Sequence, residues 1–287
     1  MVAQLLDGKH LATQLRKKMK VAVQALKSQT QVSPTLAVIL VGNDPASSIY
    51  VQHKQAACQE VGILSVFHHL PDATTQQALE SLLFQLNEDA SIDGILVQLP
   101  LPKQINTQAI ISHINPAKDV DGFHPLNVGK LALKMPSFRP CTPYGIVTLL
   151  KHYNIDPKGL NALVIGTSNI VGLPMTLELL QLGATVTTCH RHTKNLKAFV
   201  ERAELLICAV GKPGLIKGTW IKPGCVVIDV GINRLDDGKL VGDVEFAPAF
   251  ERASWITPVP GGVGPMTVTQ LLQNTLLAST LKGELLT

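Results

Sequence analysis

The chain has 287 residues, of which 46% are hydrophobic, 16% charged and 4% aromatic. This composition excludes intrinsic disorder, which requires few apolar residues and a high net charge. The 25 basic and 21 acidic residues are spread over both halves, so the sequence lacks the concentrated basic face of a nucleic-acid-binding protein. The longest apolar runs have the length of a strand and not of a membrane span. We therefore expect a globular protein with neither a nucleic-acid nor a membrane partner.

A basic cluster, RKKMK at 16–20, lies where apolar residues recur at helical spacing. It predicts the solvated face of an amphipathic helix, with a weak membrane or nucleic-acid patch as the alternative. The N-terminus lacks the charged and apolar segments of a secretory signal. The five cysteines are odd in number and form no CxxC pair, which predicts reduced thiols in a cytoplasmic protein. The histidines lack metal-ligand spacing, so no metal site is predicted.

The first half alternates short apolar runs with helical patterns. Strands are predicted at 36–41, 64–69 and 94–97, and helices at 47–61, 74–87 and 107–114. Gly62 and Pro116 stand where two of these helices should end. Residues 122–145 are rich in Gly, Pro and Asn, and they predict a loop region that bridges two units.

The second half repeats this alternation. The pattern predicts strands at 161–165, 185–189, 205–210, 226–230 and 255–257, and helices at 142–153, 171–182, 195–203 and 266–281. Strands that alternate with helices through short loops predict parallel sheets covered by helices. We therefore predict an α/β fold of two lobes with a cleft between them, since ligands usually bind in such clefts.

A glycine-containing turn, GTSNIVG at 166–172, follows the predicted strand at 161–165. Glycines at such a turn let a pyrophosphate approach a helix N-terminus, as in Rossmann-type domains. A strict GxGxxG pattern would need glycine where Ser168 and Val171 stand, so an ordinary strand–turn–helix is the alternative. The next predicted strand, 185–189, runs into Arg191, and no carboxylate stands there for a free ribose. An arginine there favours the 2′-phosphate of NADP, unless it is simply a surface residue.

Polar residues also follow the strands of the first half. Tyr50 and Lys54 share one helical face, although a pair at this spacing is usually a surface pair. Gln98 stands where a buried strand meets two prolines, and Asp119 and Asp121 follow another helix. A rigid loop at 257–265 contains glycines that allow backbone to approach a ligand.

These motifs occur in a characteristic order: YxxxK at 50–54, VQLPLP at 97–102, DVDG at 119–122, the turn at 166–172 and PVPGGVGPMT at 258–267. Over essentially the whole chain the sequence resembles bifunctional methylenetetrahydrofolate dehydrogenase/methenyltetrahydrofolate cyclohydrolases. The resemblance implies an enzyme that oxidises 5,10-methylenetetrahydrofolate with NADP⁺. It also implies hydrolysis of the methenyl product to 10-formyltetrahydrofolate.

The resemblance also implies roles for individual residues. Lys54 is the key catalytic residue, Tyr50 orients the folate, Gln98 hydrogen-bonds the lysine and Asp121 holds the pterin. The implied substrate-binding residues are Tyr50, Lys54, Val97, Gln98, Leu99, Asp121, Pro260, Gly261 and Gly262. The implied cofactor-binding residues are Gly166, Thr167, Ser168, Arg191, Gly231 and Ile232. Many members of the family have arginine where Thr167 stands, so phosphate binding shifts towards Ser168, Arg191 and backbone amides.

The implied domains are a catalytic, folate-binding domain at 1–140 and a Rossmann-type NADP-binding domain at 141–265, with the helix at 266–287 packing back onto the first. The resemblance further suggests a homodimer joined through the cofactor lobe. The substrate cation next to Lys54 should favour its neutral amine, which can take a proton from water. Two alternatives are a shikimate-type NADP-dependent dehydrogenase and a non-catalytic protein that binds nucleotide or folate.

Overall fold

The computed structural model describes residues 2–285. They form two compact units. One comprises residues 2–13 and 142–267, and we call it the six-stranded unit; the other comprises residues 14–141 and 268–285, and we call it the three-stranded unit. Within residues 2–285, no helix is long and apolar enough to cross a membrane.

The elements alternate between strand and helix along most of the chain. The strands are β1 (Gln4–Leu5), β2 (Thr35–Val41), β3 (Leu64–Leu70), β4 (Gly94–Val97), β5 (Asn161–Ile165), β6 (Thr185–Cys189), β7 (Leu205–Cys208), β8 (Val226–Asp229), β9 (Asn233–Arg234), β10 (Leu240–Val241) and β11 (Trp255–Ile256). The helices are α1 (Gly8–Thr30), α2 (Pro45–Val61), α3 (Gln76–Glu88), α4 (Thr107–His113), α5 (Pro125–Ala132), α6 (Cys141–His152), α7 (Gly172–Gln181), α8 (Leu196–Val200), α9 (Phe246–Phe250) and α10 (Val263–Leu285). A 3-10 helix spans Gly218–Trp220.

The sheet of the three-stranded unit is parallel, in the order β3-β2-β4. Every residue of the central strand β2 is buried. Its alternate side chains enter two different cores: Val38 packs in the core that includes residues of α2 and α10, and Ile39 in the core that includes residues of α3. A strand covered on both faces needs apolar residues throughout, which explains the continuous run that predicted it.

The sheet of the six-stranded unit runs β6-β5-β7-β8-β11-β1 with all strands parallel. After β5 the chain forms β6 on one side and then crosses to form β7 on the other. The strand order therefore reverses between β5 and β7, and ligands of open parallel sheets bind at such a reversal, beyond the carboxyl ends of the strands. The predicted α/β class with parallel sheets is confirmed.

One part of the sequence interpretation is wrong. Residues 122–145 were expected to form a bridging loop, but α5 lies within them and α6 begins at Cys141. Pro125 is the first residue of α5, and the Nδ1 atom of His124 accepts a hydrogen bond from the amide of Leu126 at 3.0 Å. Proline is found at helix starts as well as in loops, because the first helical turn does not use the N–H group that proline lacks.

At the C-terminus of the chain, α10 is longer than the predicted helix. Residues 286 and 287 of the predicted segment 266–287 lie outside the described residues.

Asp119 ties this helical segment to the three-stranded sheet. Its side chain is buried and accepts hydrogen bonds from the amides of Phe123 at 3.2 Å and His124 at 2.8 Å. The Nδ2 atom of Asn127 in α5 donates a third, at 2.8 Å. Because Asp119 also forms a parallel bridge with Ile95 of β4, it fixes where α5 begins relative to the sheet.

We expect Asp119→Ala to lower the free energy of unfolding by about 2–4 kcal/mol, since it leaves buried donors without an acceptor. Urea denaturation followed by circular dichroism measures this change. Asp236→Ala is the matched control: Asp236 is exposed in the turn between β9 and β10, and its loss should cost less than about 0.5 kcal/mol. Equal stability of the two variants would contradict the role of Asp119.

Candidate active site

Lys54 and Gln98 meet in the three-stranded unit. Lys54 lies on α2, whose start is fixed by Asp44: its carboxylate accepts a hydrogen bond from the amide of Ser47 at 2.7 Å. Gln98 follows β4 directly, and its own amide donates to the carbonyl of Ile39 at 2.8 Å. The Nζ atom of Lys54 donates to Oε1 of Gln98 at 2.9 Å. The lysine amine is therefore held by a neutral acceptor that adds no charge.

The orientation of the Gln98 amide is also fixed. Its Nε2 atom donates to the carbonyl of Leu99 at 2.8 Å, which turns Oε1 towards Lys54. Both side chains are partly buried. An amine in this setting can accept or release a proton next to a bound substrate, because the amide orients it without neutralising it.

The carboxylate of Asp121 is close enough to Lys54 for the two charges to interact. Burial raises the pKa of Asp121 to about 6, the charge of Lys54 opposes this rise and the charge of Asp119 adds to it. The carboxyl group is therefore mostly ionised at neutral pH and becomes protonated in mildly acidic solution. Cys141 lies beside it; burial and the charge of Asp121 raise the pKa of this thiol well above its usual value. Cys141 is therefore a neutral neighbour and not a thiolate.

The remaining predicted residues of this unit lie next to Lys54 and Gln98 along the chain. Tyr50 lies one turn before Lys54 on α2 and is 36% exposed, and burial of its hydroxyl raises the pKa of the phenol. Val97 is buried in β4, and Leu99 is partly buried just after it. The three-stranded unit thus brings Lys54, Gln98 and Asp121 together and supplies apolar and phenolic groups near them.

The loop with Pro260, Gly261 and Gly262 belongs to the six-stranded unit. It is a closed turn, because the amide of Gly262 donates to the carbonyl of Pro258 at 2.9 Å. The carbonyl of Gly261 accepts from the amide of Lys9 at 2.8 Å. Gly261 has a φ of +108°, a backbone conformation that residues other than glycine rarely adopt. Pro260 is exposed at the tip of this turn.

The glycine turn lies at the strand reversal of the six-stranded sheet. Gly166 follows β5 with a φ of +111°, and a Cβ atom there would collide with the carbonyl oxygen of Ala209 after β7. A Cβ atom on Gly172 would collide with the carbonyl of Gly166 itself. Glycine is thus required at both positions, because three backbone segments approach one another closely. Backbone without side chains at the N-terminus of α7 lets the pyrophosphate of a dinucleotide approach closely.

Thr167 and Ser168 complete this turn. Thr167 is partly buried and Ser168 is exposed. The hydroxyl oxygen of Ser168 accepts hydrogen bonds from the amides of Val171 at 3.2 Å and Gly172 at 3.4 Å, so it caps the first turn of α7. The amides of Val171 and Gly172 at the start of α7 are therefore already hydrogen-bonded to Ser168.

Arg191 stands beside the same turn. Cys189, two residues earlier, pairs with Ile165 in register, and its carbonyl accepts from the amide of Gly166 at 2.9 Å. Arg191 is exposed, and its Nε atom donates to Nε2 of His192 at 3.0 Å. Gly231 is buried after β8, and Ile232 is 39% exposed next to it. The six predicted cofactor residues therefore all lie beyond the carboxyl ends of β5, β6 and β8.

Two further carboxylates in this unit are buried and were not predicted from the sequence. Asp229 is the last residue of β8, and Asp243 follows β10; both are buried. An acidic residue that closes an apolar strand was the available signal for Asp229, whereas Asp243 lies in a segment without a regular pattern. Among residues 2–285, no group of three or more His, Cys, Asp or Glu side chains could hold a metal ion.

Two family models match this chain. The NAD(P)-binding domain of tetrahydrofolate dehydrogenase/cyclohydrolase matches residues 140–282, and the catalytic domain of the same family matches residues 6–121. Together they account for most of the sequence.

Solved structures of the family are similar over nearly their whole length. The bifunctional methylenetetrahydrofolate dehydrogenase/cyclohydrolase from Campylobacter jejuni is 50% identical with a TM-score of 0.95, covering 97% of this chain and 99% of the other. The Trypanosoma brucei enzyme, in complex with NADP cofactor and inhibitor, is 38% identical with a TM-score of 0.95, covering 98% of each chain. The Bombyx mori methylenetetrahydrofolate dehydrogenase is 44% identical with a TM-score of 0.91, covering 98% of this chain and 99% of the other.

The shikimate-type alternative receives much weaker support. A shikimate dehydrogenase from Thermus thermophilus is 15% identical with a TM-score of 0.52 over 86% of this chain, which indicates a related fold and nothing more. The family resemblance inferred from the sequence motifs is confirmed. The chain belongs to the tetrahydrofolate dehydrogenase/cyclohydrolase family.

Proposed function

We propose that this chain oxidises 5,10-methylenetetrahydrofolate with NADP⁺ and hydrolyses the resulting 5,10-methenyltetrahydrofolate to 10-formyltetrahydrofolate. Membership of the family and the presence of both of its domains support the two activities. The observation that carries the hydrolytic assignment is the hydrogen bond from Lys54 to Gln98 beside the carboxylate of Asp121.

Lys54 is the proton-transfer residue in this proposal. The methenyl substrate is a cation, and water must add to its one-carbon bridge before the bond from that carbon to N5 breaks. The bound substrate cation repels the charge of Lys54, so its amine can take a proton from the attacking water and return it to N5 as the bond from N5 to the carbon breaks. The proton of the added hydroxyl goes to solvent as the carbonyl forms, and the formyl group remains on N10. Gln98 holds the amine in place throughout, since its oxygen accepts from Nζ at 2.9 Å.

Asp121 binds the pterin and Tyr50 packs against the folate. An ionised carboxylate accepts two N–H donors side by side, which matches the amino and ring N–H groups of a pterin. Tyr50 offers a half-exposed aromatic face one helical turn from Lys54. We assign the remaining folate contacts to Val97, Leu99, Pro260, Gly261 and Gly262.

The cofactor is NADP⁺, bound by the six-stranded unit. Gly166, Thr167 and Ser168 hold the pyrophosphate, Arg191 pairs with the ribose 2′-phosphate, and Gly231 and Ile232 lie along the nicotinamide half. When bound, NADP⁺ supplies the hydride acceptor for the dehydrogenase reaction. The hydride step needs no acid or base from the chain, so the task of these residues is positioning.

We also propose the domain bounds, the oligomeric state and the cellular compartment of this enzyme. The proposed folate-binding domain is residues 1–140 with the C-terminal segment from 266, and the proposed cofactor domain is 141–265. Residues 2–13 are the exception, because β1 pairs with β11 and they belong to the six-stranded unit. The enzyme is a cytoplasmic homodimer joined through the cofactor domain, and its product donates formyl groups in purine biosynthesis. All five cysteines are free and buried, which supports a reducing compartment.

A coupled assay tests the proposed reactions. Purified protein with 5,10-methylenetetrahydrofolate should reduce NADP⁺ and form the methenyl chromophore, which should then decay to the formyl product. NADP⁺ binding without any absorbance change on adding the folate would instead support a non-catalytic binding protein.

The pKa of Asp121, about 6, predicts how folate binding depends on pH. The carboxylate is ionised above this value and loses its ability to accept two N–H donors below it. We expect the KM for the methenyl substrate to rise about tenfold between pH 7 and about pH 5. In Asp121→Asn the KM should be high at every pH and should lose this dependence. A wild-type KM that stays constant across this range would contradict the assignment of Asp121.

Arg191→Ala tests the preference for NADP⁺. Loss of the guanidinium should raise the KM for NADP⁺ about tenfold or more and leave the KM for NAD⁺ nearly unchanged, because only NADP⁺ carries the 2′-phosphate. Lys194→Ala is the matched control, since Lys194 is an exposed cation in the same loop. Equal effects of Arg191→Ala on both cofactors would refute the 2′-phosphate contact.

A further inference from the structure

Asp243 has no place in the reactions above, yet its carboxylate is fully buried and bonded on both oxygens. Oδ2 accepts hydrogen bonds from the amides of Val210 at 2.8 Å and Gly211 at 3.0 Å. Oδ1 accepts from the amide of Lys212 at 2.9 Å and from Nδ2 of Asn233 at 2.9 Å. One side chain therefore binds three consecutive backbone amides after β7 and one side chain after β8.

Asp243 joins two loops that are close to the predicted cofactor site. The loop after β7 adjoins the glycine turn, and the loop after β8 contains predicted cofactor residues. The loop after β7 begins at Ala209, whose carbonyl a Cβ atom on Gly166 would strike. The loop after β8 contains Gly231, and a Cβ atom there would strike the carboxylate of Asp243 itself. Asp243 thus packs directly behind Gly231 and determines how far the backbone of both loops extends beyond the sheet.

Asp229 in turn fixes Asp243. Its carboxylate accepts from the amide of Asp243 at 2.9 Å, the amide of Val244 at 2.9 Å and the amide of Gly231 at 3.0 Å. Burial raises the pKa of Asp229 to about 6; the hydrogen bonds from the amides of Asp243 and Val244 oppose this rise, and the charge of Asp243 adds to it. Burying two carboxylates close together is unfavourable, and the ring of backbone amides offsets that cost. The hydrogen bonds leave little freedom in the backbone of either loop.

We propose that Asp243 is a positioning residue for NADP⁺: by holding the loops at 209–212 and 231–233 it keeps the backbone beside the Gly166 turn in the shape that binds the dinucleotide. This inference rests on the proposed NADP⁺ site. Asp243 touches no reacting atom and acts through the backbone of Gly231 and of the loop after β7. Its loss should therefore weaken cofactor binding and leave folate hydrolysis intact.

The test compares NADP⁺ binding with cyclohydrolase activity in Asp243→Asn. This substitution keeps the shape but turns an accepting oxygen into an NH₂ group that faces N–H donors. The Kd for NADP⁺, measured by calorimetric titration without folate, should rise about tenfold or more. Cyclohydrolase activity without added NADP⁺ consumes no cofactor, so it should stay near the wild-type value and also report that the fold is intact.

Two further variants complete the test. Asn233→Ala removes one donor to Asp243 and should raise the Kd for NADP⁺ in the same direction by a smaller factor. Glu245→Gln is the control, because Glu245 lies two residues after Asp243 but pairs with Lys217 at the surface. Its Kd should match the wild type.

Each outcome decides the proposal. A wild-type Kd in Asp243→Asn with hydrolysis intact would overturn it. If Asp243→Asn fails to fold, Asn233→Ala decides: a raised Kd with normal hydrolysis supports the proposal, and an unchanged Kd refutes it. A wild-type protein that does not bind NADP⁺ would contradict the proposed function, whereas normal wild-type binding with unaffected variants would contradict this inference alone.

Discussion

Buried aspartates that bind backbone amides shape the segments next to both parallel sheets of this protein. A carboxylate can leave water only if hydrogen-bond donors replace the lost hydration, and at the end of a strand the available donors are backbone N–H groups. Asp119 meets this requirement in the three-stranded unit, and Asp229 and Asp243 meet it in the six-stranded unit. In each case the backbone curves around a carboxylate. Its conformation therefore depends on hydrogen bonds to a residue that has no direct part in the proposed reactions.

The DVDG motif shows how two adjacent carboxylates acquire different roles. Asp119 is almost fully buried and its oxygens are occupied by amides of the following segment. Asp121, two residues later, is only partly buried and lies within range of the charge of Lys54. The first aspartate thus holds the segment in place, and we propose that the second binds a ligand. A pKa of about 6 keeps Asp121 ionised at neutral pH, which suits recognition of N–H donors.

Much of the fold could be predicted from the sequence, because its signals are local. The bounds of β4, β5 and β6 are the predicted ones. For β4 and β5 the reason is that apolar runs buried on a parallel sheet begin and end abruptly. α5 was missed because Pro125 is compatible with both a loop and a helix start. Contacts such as that of Asn127 with Asp119 fix the helix, and they are not visible in the local sequence. The pairing of Lys54 with Gln98 joins residues 44 positions apart, so spacing alone could not reveal it and the motif resemblance did. Asp243 escaped notice because its partners come from two other loops.

We propose that Lys54 and Gln98 act as one unit in hydrolysis, and a double-mutant cycle tests this most directly. Cyclohydrolase rates would be compared for Lys54→Met, Gln98→Ala and the double variant, with Lys18→Met as a control on the exposed face of α1. We predict that Lys54→Met lowers kcat by at least about 100-fold, and that adding Gln98→Ala to it causes little further loss, because the glutamine acts only through the lysine. A near wild-type rate in Lys54→Met, or losses that multiply in the double variant, would contradict the account.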